Sequence, residues 1–241
     1  MFDAEPRFES LLALSPKEIF VPSAPGRMAP QEIFKAVGHA LTTWESLEED
    51  LCRLFGEYIG TINPAVKRAY GSVVSSQGRI GMMKEVIQAN YGVTWPETAA
   101  LHTKAMNQIG ALAGRRNEIA HGIVTNQTVN EKNFGYCLMP AEYNAGKTYS
   151  AGEYFSRVNA GSAHSEWLRF FLSRGKYVYT HVEITKYAEM FAIAKKDVQS
   201  VHLYLFESRV RHLAQAGGKR GQYHIVGGHT RSTEPPEPPQ A

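Results

Sequence analysis

Three residues stand at a spacing that suits chemistry: Arg116, Asn117 and His121. On an α-helix, at about 100° per residue, Asn117 and His121 lie one turn apart on one face, with Arg116 at its edge. Histidine gives and takes protons near neutrality, arginine matches phosphate oxygens with a two-pronged fork, and asparagine can orient an imidazole or a ribose hydroxyl. That set suits phosphoryl chemistry on RNA. With the ribose 2′-OH as internal nucleophile, cleavage needs neither a metal nor a covalent enzyme intermediate. One histidine acting as general acid or base is typically worth roughly 10²–10⁴ in rate, and the arginine would stabilise the charged phosphorane.

The segment carrying these residues reads as a helix from Thr94 and Pro96 to Gly122, with an apolar stripe at Leu101, Ile109, Leu112, Ile119 and Ile123. Arg116 falls inside that stripe. A permanently charged side chain buried there needs a carboxylate or an opening. Glu48 interrupts the seam of an earlier helix between Trp44 and Leu51, so an Arg116 to Glu48 pair is expected. A purely structural reading stands beside this one. Gly122 resembles a C-cap glycine, and a histidine in the last turn before it gains about 0.3–1 kcal/mol from the helix dipole with no function at all. On that reading Arg115 is a solvated surface charge and Glu118 pairs locally.

Other elements must hold this helix. Residues 1 to 29, broken by Pro6, Pro16, Pro22 and Pro25, read as an arm laid over the domain. From Pro30 to Gly60 the spacing of Phe34, Val37, Leu41, Trp44, Leu51, Phe55 and Tyr58 predicts a long amphipathic helix. A second runs from Pro64 to Asn90, with Val66, Val73, Ile80, Met83 and Ile87 inward. Residues 124 to 180 are rich in Gly, Asn, Tyr and Thr. They carry β-prone runs at 134–139, 154–158 and 177–182, which predict a hairpin-bearing insertion with a short helix near 166–172. Helical spacing returns from Ile184 to Val210. The Gly-rich and then Pro/Glu-rich stretch from 214 to 241 predicts a mobile tail. The domain therefore spans 30–213.

The run Gly114-Arg115-Arg116-Asn117-Glu118-Ile119-Ala120-His121-Gly122 resembles the R-N-x-x-x-H-G form of the R-x-x-x-x-H motif of HEPN domains, in the same late-helix position. The run Trp44-Glu45-Ser46-Leu47-Glu48 is also similar to the first helix of such bundles. The resemblance implies a mainly α fold, an up-and-down four-helix bundle, here with a small β-hairpin-bearing insertion before the last helix. It also implies a homodimer that brings two motif copies together, and metal-independent endoribonuclease activity. On that carry-over Arg116 and His121 are the catalytic pair and Asn117 the polar residue after the arginine. Ile123, two residues after His121, stands where a tyrosine would mark the adenylylated variant. Gly114, costly inside a helix by about 0.5–1 kcal/mol, fits a close helix approach at a dimer axis.

Composition narrows the field. At 43% hydrophobic residues the 241-residue chain can fill a core, and 26 Lys and Arg against 23 Asp and Glu permit a polyanion without requiring one. Cys52 and Cys137 match no metal spacing and read as reduced thiols. The start Met1-Phe2-Asp3 lacks a signal-peptide pattern and no run approaches a membrane span, so a soluble cytoplasmic protein is expected. His164, His181, His202, His224 and His229 form no zinc spacing, and no P-loop or dinucleotide fingerprint occurs, so no metal or cofactor is expected. Arg79, in a polar stripe with Ser72, Ser75 and Ser76, and Arg115 are weaker candidates for substrate binding. The basic run from Arg209 to Arg220 reads as a solvated helix end. The leading expectation is a HEPN-type endoribonuclease, a toxin or defence effector acting on RNA, with a possible antitoxin or regulatory protein as partner. The competing one is a non-catalytic module of the same fold that dimerises or binds a partner.

Overall fold

The computed structural model describes residues 7–15, 26, 28–61, 63–129, 132–141, 177–216, 223–226 and 229–232. These form α1 (Glu9–Leu12), α2 (Gln31–Ile59), α3 (Pro64–Ser72), α4 (Ser76–Tyr91) and α5 (Pro96–His121). They continue as strands β1 (Gly122–Val129) and β2 (Lys132–Pro140), α6 (His181–Ala216), β3 (Tyr223–Val226) and β4 (His229–Ser232). The chain is mainly helical, as its periodicity predicts. No helix among the described residues is long and apolar enough to cross a membrane. Two compact units emerge: one of Met1–Leu12, Glu48–Ile109 and Ala194–Ala241, the other of Ala13–Leu47 and Gly110–Ile193.

In the first unit the later half of α2 buries Leu51, Leu54, Phe55 and Tyr58, three and four residues apart. Gly60 ends the helix at φ 82°, where its N–H reaches Glu57 O and that of Thr61 reaches Gly56 O, each at 3.0 Å. This is the left-handed C′ position that only glycine occupies cheaply. The single helix predicted over 64–90 is two. Asn63 caps α3 by accepting Val66 N–H at 3.0 Å, but Val73 turns extended and Ser75 caps α4 by accepting Gly78 N–H at 3.0 Å. Two β-branched valines followed by a serine that can satisfy a fresh set of N–H groups favour a break over continuation. The N-terminal segment is anchored, with Phe8 and Leu11 fully buried and Leu11 N–H donating to Asp197 at 2.6 Å. Strands β3 and β4 pair antiparallel within the stretch read from sequence as a mobile tail.

In the second unit the seam of α2 differs from the predicted one by a position. Ile33, Ala36 and Ala40 are buried ahead of Trp44 and Leu47, whereas Phe34 is 59% exposed. Large side chains drew the sequence reading to Phe34, but the spacing 33-36-40-44-47 is equally helical, and its two alanines let a neighbour approach closely. Trp44 meets Phe191 of α6 edge-on, with ring centroids 5.2 Å apart. The predicted run 134–139 lies in β2, but its hairpin partner is β1, a strand not predicted from the sequence, paired from Gly122↔Pro140 to Val129↔Lys132. β1 begins directly at the end of α5, so Ile123 is a strand residue and 45% exposed rather than the last of the helical stripe. Leu138 of β2 exchanges two backbone hydrogen bonds with Tyr179, at 2.8 and 3.0 Å. The next residue opens α6 with a capping box. Thr180 Oγ accepts Val182 N–H at 3.3 Å, and the Glu183 carboxylate accepts Thr180 N–H at 2.9 Å. Of the remaining predicted elements of the insertion, 154–158 and 166–172 lie outside the described residues.

Candidate functional site

The end of α5, in the second unit, carries the motif residues, and the strand that follows fixes where the helix stops. Gly122 is not the left-handed cap its sequence context suggests, since Gly60 and Gly135 are the only described glycines with positive φ. What requires glycine there is space. A Cβ at Gly122 would lie 2.7 Å from the Leu138 side chain and 3.1 Å from Glu118 O. The hairpin packs against the helix terminus where that methyl would stand.

Arg115 and Glu118 close the inner side of this terminus. Arg115 Nη2 lies 2.9 Å from Glu118 Oε1, and its Nη1 donates to the Tyr179 hydroxyl at 3.4 Å. The Tyr179 hydroxyl donates in turn to Glu118 Oε2 at 2.5 Å, and the Tyr177 hydroxyl donates to the Glu118 backbone carbonyl at 2.9 Å. The two tyrosine rings stack at 5.0 Å. Burial first and the Glu118 charge second push the Tyr177 hydroxyl above the phenol range, so it is a proton donor at neutral pH. Arg115 is thus part of a closed structural network, not the solvated surface charge expected, and a substrate role for it loses its basis. The local pairing expected of Glu118 is present.

Asn117 is exposed and Arg116 is half-buried beside it. Arg116 Nη2 donates to Glu45 Oε1 of α2 at 2.8 Å, and its Nη1 donates to Asn117 Oδ1 at 3.3 Å. The Arg116 side chain is 27% exposed and that of Glu45 is 61% exposed. Asn117 and His121 are both exposed, and His121 is the last residue of α5. Arg116 and Asn117 are therefore in contact, with His121 one turn beyond Asn117.

The expected partner of Arg116 is a correction. Glu45, one turn earlier on α2, takes the place assigned to Glu48. In the first unit Glu48 is buried and accepts from Ser76 Oγ at 2.7 Å, from the Tyr70 hydroxyl at 3.0 Å and from Arg79 Nη1 at 3.1 Å. Arg79 also donates through Nε to Val73 O at 2.8 Å and lies 5.3 Å above the Tyr70 ring. These bonds tie down the carbonyl freed at the α3–α4 break. Arg79 is consequently committed to Glu48 and to the elbow, which removes the ground for a substrate role. Ser76, read as part of a water-facing stripe, serves the same cluster.

The first unit holds a second buried acid that the sequence did not single out. Glu57 receives both Nη atoms of Arg209 at 3.2 Å, with His202 Nε2 at 3.7 Å. Burial raises the Glu57 pKa and Arg209 opposes the rise. Arg209 is therefore not merely a solvated helix end. The available signal was an acid in the apolar seam of α2, between Phe55 and Tyr58. Among the described residues no group of three His, Cys, Asp or Glu side chains is placed to hold a metal ion. Comparisons with protein-family models, curated proteins and solved structures find no match to this chain.

Proposed function

We propose that the end of α5 is an RNA-cleaving site of the HEPN type, acting without a metal in a homodimer, with Arg116 holding a phosphate and His121 moving protons. The observation that carries this reading is a half-buried arginine whose carboxylate partner is exposed, beside Asn117, with an exposed histidine one turn beyond Asn117 at a helix end packed against the hairpin. In the reaction the ribose 2′-oxygen bonds to phosphorus and the bond from phosphorus to the 5′-oxygen breaks. The 2′-OH gives up its proton and the leaving oxygen takes one. His121 serves one of these transfers, while Arg116 bears on the negative charge that grows on the equatorial oxygens. A toxin or defence effector would use such activity, under the control of an antitoxin or regulatory protein.

The second reading is a non-catalytic module of the same architecture that dimerises or binds a partner. It uses the same open helix face as the first, at Gly114, where a Cβ would meet nothing within 4 Å in this chain. One experiment separates the two. Purified protein is incubated with single-stranded and hairpin RNA in EDTA, beside His121→Ala. The enzyme reading expects cleavage that falls by roughly 10²–10⁴ in the variant, with melting and sedimentation unchanged. Absence of cleavage in the wild type, or equal cleavage by both proteins, sinks it.

A further inference from the structure

Arg115 and Arg116 are neighbours in sequence and similarly exposed, yet their guanidinium groups pair with carboxylates of very different exposure. That of Arg115 is enclosed, with Glu118 and the Tyr179 hydroxyl as partners and side chains only 22% and 19% exposed across the ion pair. That of Arg116 meets one carboxylate oxygen, from a residue 61% exposed, and a longer contact to Asn117. The Nε of each arginine is shielded from solvent and has no hydrogen-bond partner, so the two differ in what their Nη atoms meet. The strongest contact of Arg116 is thus to a single oxygen of an exposed carboxylate that can return to water. An exposed ion pair of this kind contributes little and is screened by salt, whereas a guanidinium grips phosphate with two parallel charge-assisted bonds.

We propose that Glu45 is a positioning residue that occupies Arg116 in the free protein and is displaced by an RNA phosphate. Its carboxylate holds Arg116 Nη2 at the surface of α2 and competes with the incoming anion, so it sets how tightly RNA binds. The inference rests on the RNA reading above and adds a residue to it. Removing the Glu45 charge while keeping its length releases Arg116, and loss of a competitor of this strength corresponds to a gain of up to about fivefold in affinity.

The test is fluorescence anisotropy of the full chain with a labelled, 2′-O-methylated single-stranded RNA that cannot be cleaved. Glu45→Gln should bind about two- to fivefold tighter, and Glu45→Asp should return toward wild type. The gain should vanish when Arg116→Ala is combined with Glu45→Gln. Glu49→Gln removes the same charge from α2 at an exposed pair with Arg53 and should change binding less. Equal tightening by Glu45→Gln and Glu49→Gln, no tightening at all, or a gain that survives Arg116→Ala overturns the role of Glu45 while leaving RNA binding in place. RNA binding that is undetectable, or indifferent to Arg116→Ala, removes the RNA reading and this inference together.

Discussion

The Glu48 cluster of the first unit and the Arg116 pair of the second each join an arginine to a glutamate of α2, but only one is saturated. Glu48 has three side-chain donors on its two oxygens, and Arg79 spends Nε, Nη1 and its π-facing surface within the same cluster. Arg116 and Glu45 meet through one oxygen at the surface. A buried charge network of the first kind persists because every partner is satisfied, and removing one member strands the rest in a low dielectric. A surface pair of the second kind contributes little to stability, and its arginine is correspondingly available to a ligand. Residue identity alone does not separate the two cases; the count and burial of partners does.

The sharpest way to break this contrast is Arg79→Ala. It leaves the Glu48 carboxylate buried without a cation and frees the Val73 carbonyl, so urea denaturation should show a loss of about 3 kcal/mol. A loss under about 1 kcal/mol would mean that the cluster is as dispensable as a surface pair.

A smaller effect is tied to pH. His102 is fully buried and shares a hydrogen bond of 2.9 Å with the Tyr58 hydroxyl, and burial lowers its pKa from 6.5 to about 4. Between those values the unfolded chain binds a proton that the folded protein refuses. Stability therefore rises with pH over this window and falls as pH drops from 6.5 towards 4, by on the order of 2–3 kcal/mol from this group. In His102→Phe that slope should flatten, whatever the change in absolute stability. Glu57 acts with the opposite sign. Its raised pKa means that the folded protein holds the proton more tightly, so stability falls as pH rises from 4.5 through the folded value. A His102→Phe profile as steep as that of wild type would place the acid sensitivity elsewhere.

The three long helices and β2 were legible because their signals are local: three- and four-residue spacing, Gly60, and the β-prone run at 134–139, whereas β1 was read as the end of a helix. The α3–α4 break was legible only in hindsight, since Val73-Val74-Ser75-Ser76 is compatible with a continuing helix until Ser75 caps the second one. The Thr180 to Glu183 capping box starts α6 at His181, three residues before Ile184, where the apolar spacing alone begins. Partner choice was not legible. Glu45 and Glu48 lie three residues apart, about 60° around the helix, and both fit the neighbourhood of an arginine on another helix. Only the placement of α3 and α4, which bring Tyr70, Ser76 and Arg79 to Glu48, decides which acid is buried.

The smallest expected effect is also the one that sharpens the contrast most. If Arg116 were the buried partner of Glu48, as the sequence suggested, Arg116→Ala would strand that carboxylate and cost several kcal/mol. Paired instead with the exposed Glu45, Arg116→Ala should lower stability by no more than about 1 kcal/mol in urea denaturation, because Glu45 can return to water. Arg115→Ala provides the matched comparison at the adjacent position. It leaves Glu118 against Tyr179 without its cation, and should cost clearly more. Equal losses at 115 and 116 would mean that both arginines hold the helix end in place, and the case for Arg116 as a group kept open for phosphate would lose its physical basis.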